Sequence, residues 1–135
     1  MKEFLGHLTS SIKTNTECYL QQESSVFPSF DSFLYYPQPG FSPLIGVQVI
    51  NAANHAINLK GLEKIQKSLK SELKDLRPTK ANRMIVLFVV PFTSGPPFVK
   101  QTIKDAVKLG RGHWYEKTAQ YVLTVSERAV FEATS

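Results

Sequence analysis

The stretch from Arg83 to Pro91, RMIVLFVVP, constrains this chain more than any other, because Met84 to Val90 are seven apolar side chains in a row. A strand with one wet face alternates apolar and polar residues. An unbroken run of this length reads instead as a strand buried on both faces. Such a strand needs neighbours on its edges and cover above and below, which points to a layered α/β domain built on a sheet. The longest apolar run, Met84 to Phe92, is about half the roughly 20 residues a membrane helix needs, so no membrane span is expected.

The remaining elements follow from period and punctuation. Residues 1–13 place Phe4, Leu5, Leu8 and Ile12 on one helical face. Glu17 to Glu23 reads as a short strand. Ser29 to Tyr36 and Leu44 to Asn51 read as two strands, and Pro37, Pro39, Gly40 and Pro43 between them make a turn, so the pair is an antiparallel hairpin. Leu62, Ile65, Leu69, Leu73 and Leu76 form one helical stripe with lysines opposite, ended by Pro78. Phe98 to Leu109 reads as a second helix stopped at Gly110 to Gly112, and Ala119 to Ser126 as a last strand. The order is helix, three strands, helix, strand, helix, strand. It implies a mixed sheet, with an antiparallel meander on one side and helix-strand crossover units on the other. A chain of 135 residues is expected to form a single domain, 1–135.

Polar residues in apolar strands are the candidates for chemistry. Asp31 stands among Phe30, Phe33, Leu34 and Tyr35, and Gln48 between Val47 and Val49. Burying such a group without a partner costs about 1 to 3 kcal/mol, so either the sheet satisfies them or they are presented together as a site. A carboxylate on one strand and an oxygen donor on the next can jointly hold a hard cation such as Mg²⁺ or Mn²⁺. His55 lies just beyond, either structural or as a proton carrier or phosphate contact. The net charge of +5 is concentrated between Lys60 and Arg83, where eight basic residues face three acidic ones. That surface either serves solubility or meets a polyanion through Lys60, Lys64, Lys67, Lys70 and Lys74.

Other signals exclude more than they suggest. The single cysteine, Cys18, rules out an internal disulfide framework and fits a reducing compartment. It has no His and Asn at a recognisable spacing for thiol catalysis. The N-terminal MKEFLGHLTSSIK lacks the unbroken apolar core of a signal peptide, so an intracellular, cytoplasmic or nuclear protein is expected. Ser94-Gly95-Pro96 and Gly110-Arg111-Gly112 lack the fuller glycine pattern of a phosphate loop. Trp114 and Tyr115 either pack or stack on a base.

In order and spacing, FDSFLYY at 30–36, VQVINAANHAI at 47–57, KGLEKIQKSL at 60–69, FVVP at 88–91 and AQYVLTV at 119–125 resemble the PD-(D/E)XK restriction-endonuclease-like superfamily. The nearer likeness is to the nuclease-like domain of fungal and oomycete Crinkler effectors and retrotransposon-hot-spot-type proteins. The resemblance covers about 17–125 and implies a restriction-endonuclease-like α/β fold and a metal-dependent nuclease acting on DNA or RNA. It also implies Asp31 and Gln48 as Mg²⁺ or Mn²⁺ ligands, with the Val49 carbonyl as a third. The catalytic set so implied is Asp31, Gln48, His55, and Lys60 or Lys64. The chain departs from the pattern at Ile50, where the superfamily carries a water-orienting lysine; Lys60 or Lys64 would have to replace it. The first-helix acid would be Glu3, or Glu17 or Glu23 from the first strand. Two rivals stay open. One is a catalytically inactive relative that binds nucleic acid or a host protein. The other is an interaction module using a sheet edge or the Pro37 to Pro43 loop. Monomer and homodimer are both compatible with the sequence.

Overall fold

The computed structural model describes residues 2–21, 30–50, 56–91 and 98–125. Helix α1 spans Lys2–Thr14 and ends where Asn15 turns left-handed, φ 52°. There the N–H groups of Asn15 and Thr16 donate back to Ile12 O and Ser11 O, closing the last turn in the Schellman manner. Strands β1 (Cys18–Gln21), β2 (Ser32–Tyr35) and β3 (Leu44–Val49) form an antiparallel meander. Strand β5 (Met84–Pro91) pairs parallel to β3, and β7 (Thr118–Val125) parallel to β5. The sheet order is β1-β2-β3-β5-β7. This is a mixed α/β protein with a five-stranded mixed sheet, the meander and parallel crossovers lying where the sequence order implies.

Two elements differ from expectation. The leucine stripe is not one helix: α2 runs from Leu59–Ser68, Leu69 is extended, Ser71 is left-handed at φ 53°, and a 3₁₀ helix covers Ser71–Leu76. The tighter turn brings Leu73 and Leu76, three apart, onto one line facing the core, and the Arg77 side chain donates to Leu69 O to hold the break. Residues 98–109 are not helical. Ile103–Lys104 form a short strand, β6, parallel to β4 (Ile57–Asn58), and Asp105 turns at φ 62°. Tertiary bonds outcompete the helix here, since Ile103 N–H donates to the Tyr115 hydroxyl and Gln101 exchanges two hydrogen bonds with the Gln120 amide. The β-branched Val99, Thr102, Ile103 and Val107 are weak helix formers to begin with. The helix of this region is a single turn, α3 (Trp114–Lys117), and it buries Trp114 in the core.

The helices described all pack on one face of the sheet. Phe4 and Leu8 of α1, Leu62 and Ile65 of α2, Leu73 and Leu76 of the 3₁₀ helix, and Trp114 of α3 share one cluster with Phe33, Leu44, Val86 and Phe88. The opposite face holds a smaller cluster of Ile45, Val47 and Ile85, flanked by the partly buried Leu34, Phe41, Leu87 and Val89. Strand β5 is therefore enclosed by helices on one side, while on the other, among the described residues, it is covered only by side chains of its own sheet layer.

Gly46 fixes how β2 approaches β3. A Cβ there would lie 2.5 Å from Phe30 Cε1 and 2.8 Å from Met84 Cε. The missing side chain is the space that the Phe30 ring occupies. Gly46→Ala is expected to lower the unfolding free energy by about 2 to 3 kcal/mol through overpacking, read as a lower urea midpoint. Gly6→Ala, in α1 with nothing within 4 Å of the added methyl, is expected to raise it by about 0.5 to 1 kcal/mol.

Candidate metal and nucleic-acid site

The site lies where β3 ends and β2 begins. The β2–β3 register runs from Tyr35 opposite Leu44 to Ser32 opposite Val47, and Asp31 lies just beyond its last pair. The ladder bends there. Asp31 N–H still donates to Val47 O at 2.9 Å, but the next β3 donor, Val49 N–H, is taken by the Asp31 carboxylate, with Oδ2 accepting at 2.7 Å. The side chain thus completes a pairing that the backbone abandons.

Gln48 is on the helix-covered face, in register with Phe88, and only 3% exposed. Among the described residues its Oε1 has no hydrogen-bond partner. A buried carbonyl oxygen left unsatisfied costs about 1 to 3 kcal/mol and calls for a ligand or a reason. Asp31 is exposed. Asp31 thus bonds the β3 backbone on either side of Gln48, and the two expected residues differ in surroundings: one carboxylate open to solvent, one carboxamide oxygen buried without a donor among the described residues. Ile50, where the resemblance has lysine, is 5% exposed and belongs to the main core; its N–H donates to Val89 O. His55 and Glu23 fall outside the described residues.

The two describable acids separate. Phe4 contacts Phe33, and Phe33 contacts Phe30, each pair with ring centroids 5.2 Å apart. This aromatic chain ties the first turn of α1, and with it the exposed Glu3, to the Asp31 end of the sheet. Glu17 precedes β1, whose first residue pairs with Tyr35. It stands at the opposite end of β2, roughly 15 Å away at the rise of a strand, and does not join Asp31. Among the described residues no three His, Cys, Asp or Glu side chains cluster as a metal group.

The lysines fall on two elements. Lys60, Lys64 and Lys67 are exposed on α2. Asn58 caps that helix, its Oδ1 accepting from Lys60 N–H at 2.9 Å. The one acid on α2, Glu63, is held by Arg111 at 2.9 Å, which leaves the helix lysines uncompensated among the described residues. Because β3 and β5 run parallel, the connection between them must return the chain to the starting end. Helix α2, with Lys60, lies on that return. Lys70 lies in the break and Lys74 on the 3₁₀ helix, close to where β5 begins at the far end. Trp114 is buried, with Lys117 Nζ 5.3 Å from its ring, so it packs and does not stack on a ligand.

Two positioning residues escaped sequence reasoning, Phe30 and Gly46. A glycine inside LIGVQVI was the available signal, since glycine within a strand marks a close approach. Asn58 as the helix cap was equally legible, standing just before the first apolar residue of the helix.

No family model, no curated protein and no solved structure matches this chain.

The geometry separates the local roles. Asp31→Ala removes the acceptor of Val49 N–H and is expected to cost about 0.5 to 1.5 kcal/mol, whereas Asp31→Asn keeps an amide oxygen there and is expected to fall within about 0.5 kcal/mol of wild type. Gln48→Met, which replaces the orphaned amide by an apolar group of similar shape, is expected to stabilise by about 1 kcal/mol. Chemical denaturation of the three variants checks both statements.

Proposed function

We propose that this chain is a metal-dependent nuclease-like protein of restriction-endonuclease-like fold, holding Mg²⁺ or Mn²⁺ at Asp31 and Gln48 and acting on DNA or RNA phosphodiesters. The observation that carries the reading is the Gln48 Oε1, buried and without a partner among the described residues, on the strand whose Val47 and Val49 backbone groups on either side of it bond Asp31. A stability cost retained at that position fits an oxygen kept for a ligand. The donor set fits a hard cation, which takes one or two carboxylates together with carbonyls, water and substrate phosphate. In a strand the N–H and C=O of one residue leave on the same edge, so the Val49 carbonyl faces the Asp31 side and suits a third ligand. Glu3, at the same end, is the remaining acid within the reading. The meander followed by a parallel crossover, β1-β2-β3-β5, supports the same fold.

The bound ion would polarise the phosphodiester and lower the pKa of an attacking water. This chain's own residues do the rest. Asp31, held by Val49 N–H, presents its carboxylate in one orientation. Lys60 and Lys64, near the start of α2, hold the phosphate backbone and supply the positive charge that Ile50 lacks. Asn58 fixes the first turn on which Lys60 stands.

The test compares wild type and Asp31→Asn on plasmid DNA and structured RNA with Mg²⁺, Mn²⁺ or EDTA. Cleavage is expected in wild type, lost on chelation and in the variant although the variant stays folded. A second reading keeps the fold and drops the chemistry, and the burial of Ile50 favours it. Ile50→Lys would place an ammonium in the core and is expected to cost about 2 to 4 kcal/mol. Absence of cleavage together with salt-sensitive binding would select that second reading. In either case Lys60→Ala with Lys64→Ala is expected to reduce the slope of log K against log salt by about 2, measured by fluorescence anisotropy.

A further inference from the structure

We propose that the β6 turn, residues 104–111, joins helix α2 in one cationic surface that binds the phosphate backbone of nucleic acid without a metal ion. Nucleic acid is the partner in the function proposed above as well, but this surface needs neither Asp31 nor cleavage. Along the chain the excess charge lies between Lys60 and Arg83, yet a second basic segment, 100–111, sets Lys100, Lys104, Lys108 and Arg111 against Asp105 alone. The fold brings the two segments together.

Two contacts join them. Strands β4 and β6 pair so that Lys104 stands opposite Asn58, the residue that caps α2 two positions before Lys60. The chain then folds back: Ala106 N–H donates to Ile103 O, Leu109 N–H to Asp105 O and Arg111 N–H to Ala106 O. Ala106 is buried under this turn, and Val107, Lys108 and Leu109 are exposed on it. The turn returns Arg111 to α2, where its Nε donates to Glu63 Oε2 at 2.9 Å. Segment 104–111 is thus fastened to α2 at both ends, with Lys108 between them. Glu63, three residues after Lys60 and four before Lys67, borders the lysine stripe of the helix. Its pairing with Arg111 offsets the one acid on α2 and sets the turn alongside that stripe.

Lys60, Lys64 and Lys67, at i, i+4 and i+7, share one exposed face opposite the buried Leu62 and Ile65. They span about 10 Å along the axis, over which one DNA strand carries about three phosphates. Lys104 and Lys108 are exposed as well, and among the described residues neither pairs with an acid. Leu69, extended, and Ser71, left-handed, take Lys70 and Lys74 off the helix. The surface therefore widens sideways across the turn and does not continue along the leucine stripe.

Composition selects nucleic acid. Lysine and arginine meet phosphate backbones, whereas lysine is depleted in protein interfaces. A helix lying on a lipid surface turns an apolar face to it, and the apolar residues of α2, Leu59, Leu62 and Ile65, are buried in the core. Val107 and Leu109, 74% and 55% exposed, are the apolar groups the turn presents, so lipid vesicles enter the test.

Fluorescence anisotropy of a labelled DNA duplex and a labelled RNA hairpin, titrated with the full chain in EDTA at several salt concentrations, reads binding apart from cleavage. Lys104→Ala with Lys108→Ala is expected to reduce the slope of log K against log salt by about 2, as is Lys60→Ala with Lys64→Ala. Lys70→Ala with Lys74→Ala removes the same charge and is expected to leave the slope within about 0.5 of wild type. An unchanged slope in the Lys104 and Lys108 variant, with the Lys60 and Lys64 variant reduced, overturns the shared surface and spares the function proposed above. An equal loss in the Lys70 and Lys74 variant overturns it as a diffuse effect of net charge. Binding to vesicles of phosphatidylserine and phosphatidylcholine with none to either nucleic acid overturns both. Slopes as expected without cleavage in Mg²⁺ or Mn²⁺ support the surface and remove only the nuclease chemistry. If the Lys104 and Lys108 variant proves unfolded by circular dichroism, Glu63→Gln decides. It frees Arg111 and is expected to tighten binding severalfold more than Glu72→Gln on the 3₁₀ helix, and equal effects refute the surface.

Discussion

The Phe30 ring occupies the space that Gly46 leaves on β3, and the candidate site depends on that contact. A strand entering β2 in regular register would give Val49 N–H a backbone partner and carry its side chains in strict alternation. With Phe30 seated over Gly46 and against Phe33, the chain bends at Asp31 and the carboxylate takes the donor that the backbone leaves. Phe4 extends the same aromatic contact to α1, so helix, hairpin and acidic group are one packed unit. The position of the Asp31 carboxylate is thereby decided by a van der Waals fit two strands wide.

The sheet divides the molecule into unlike halves. One face is a closed hydrophobic core in which Gln48 and Ile50 are both buried, one orphaned and one apolar. On the other, among the described residues, Ile45, Val47 and Ile85 pack with Leu34, Phe41, Leu87 and Val89 and no helix covers them. The basic surface belongs to the helical layer, through Lys60, Lys64 and Lys67, and the uncharged surface to the β7 edge. The lysine-rich surface and the uncharged strand edge are thus separate parts of the molecule.

Much of the fold was legible beforehand. The α1 stripe, the Pro37 to Pro43 turn, the hairpin and the strands at 84–91 and 118–125 followed from apolar period and from proline and glycine. The failures share one cause. The stripe from Leu62 to Leu76 matches a helical period, but that period says nothing of the break at Leu69 to Ser71, where Arg77 caps Leu69 O and a 3₁₀ turn redirects the chain. Residues 98–109 read as helical in isolation. They are claimed by β4, Tyr115 and Gln120, partners that no local window contains. Of the candidate site, Asp31 and Gln48 were legible as polar residues in apolar strands, and the bonds of Asp31 to Val47 and Val49 were not, because register depends on the whole face of a strand.

The amino-acid sequence by itself determined the class, a mixed α/β domain, because runs and stripes of apolar residues must be buried whatever their neighbours are. It also determined where positive charge accumulates. Only the tertiary structure decided which residues meet. Hydrophobic burial is non-directional and tolerates many arrangements. A hydrogen bond from Val49 to Asp31, a ring against Gly46 and an exposed β7 edge are directional or steric facts. They exist only once the strands have chosen their order.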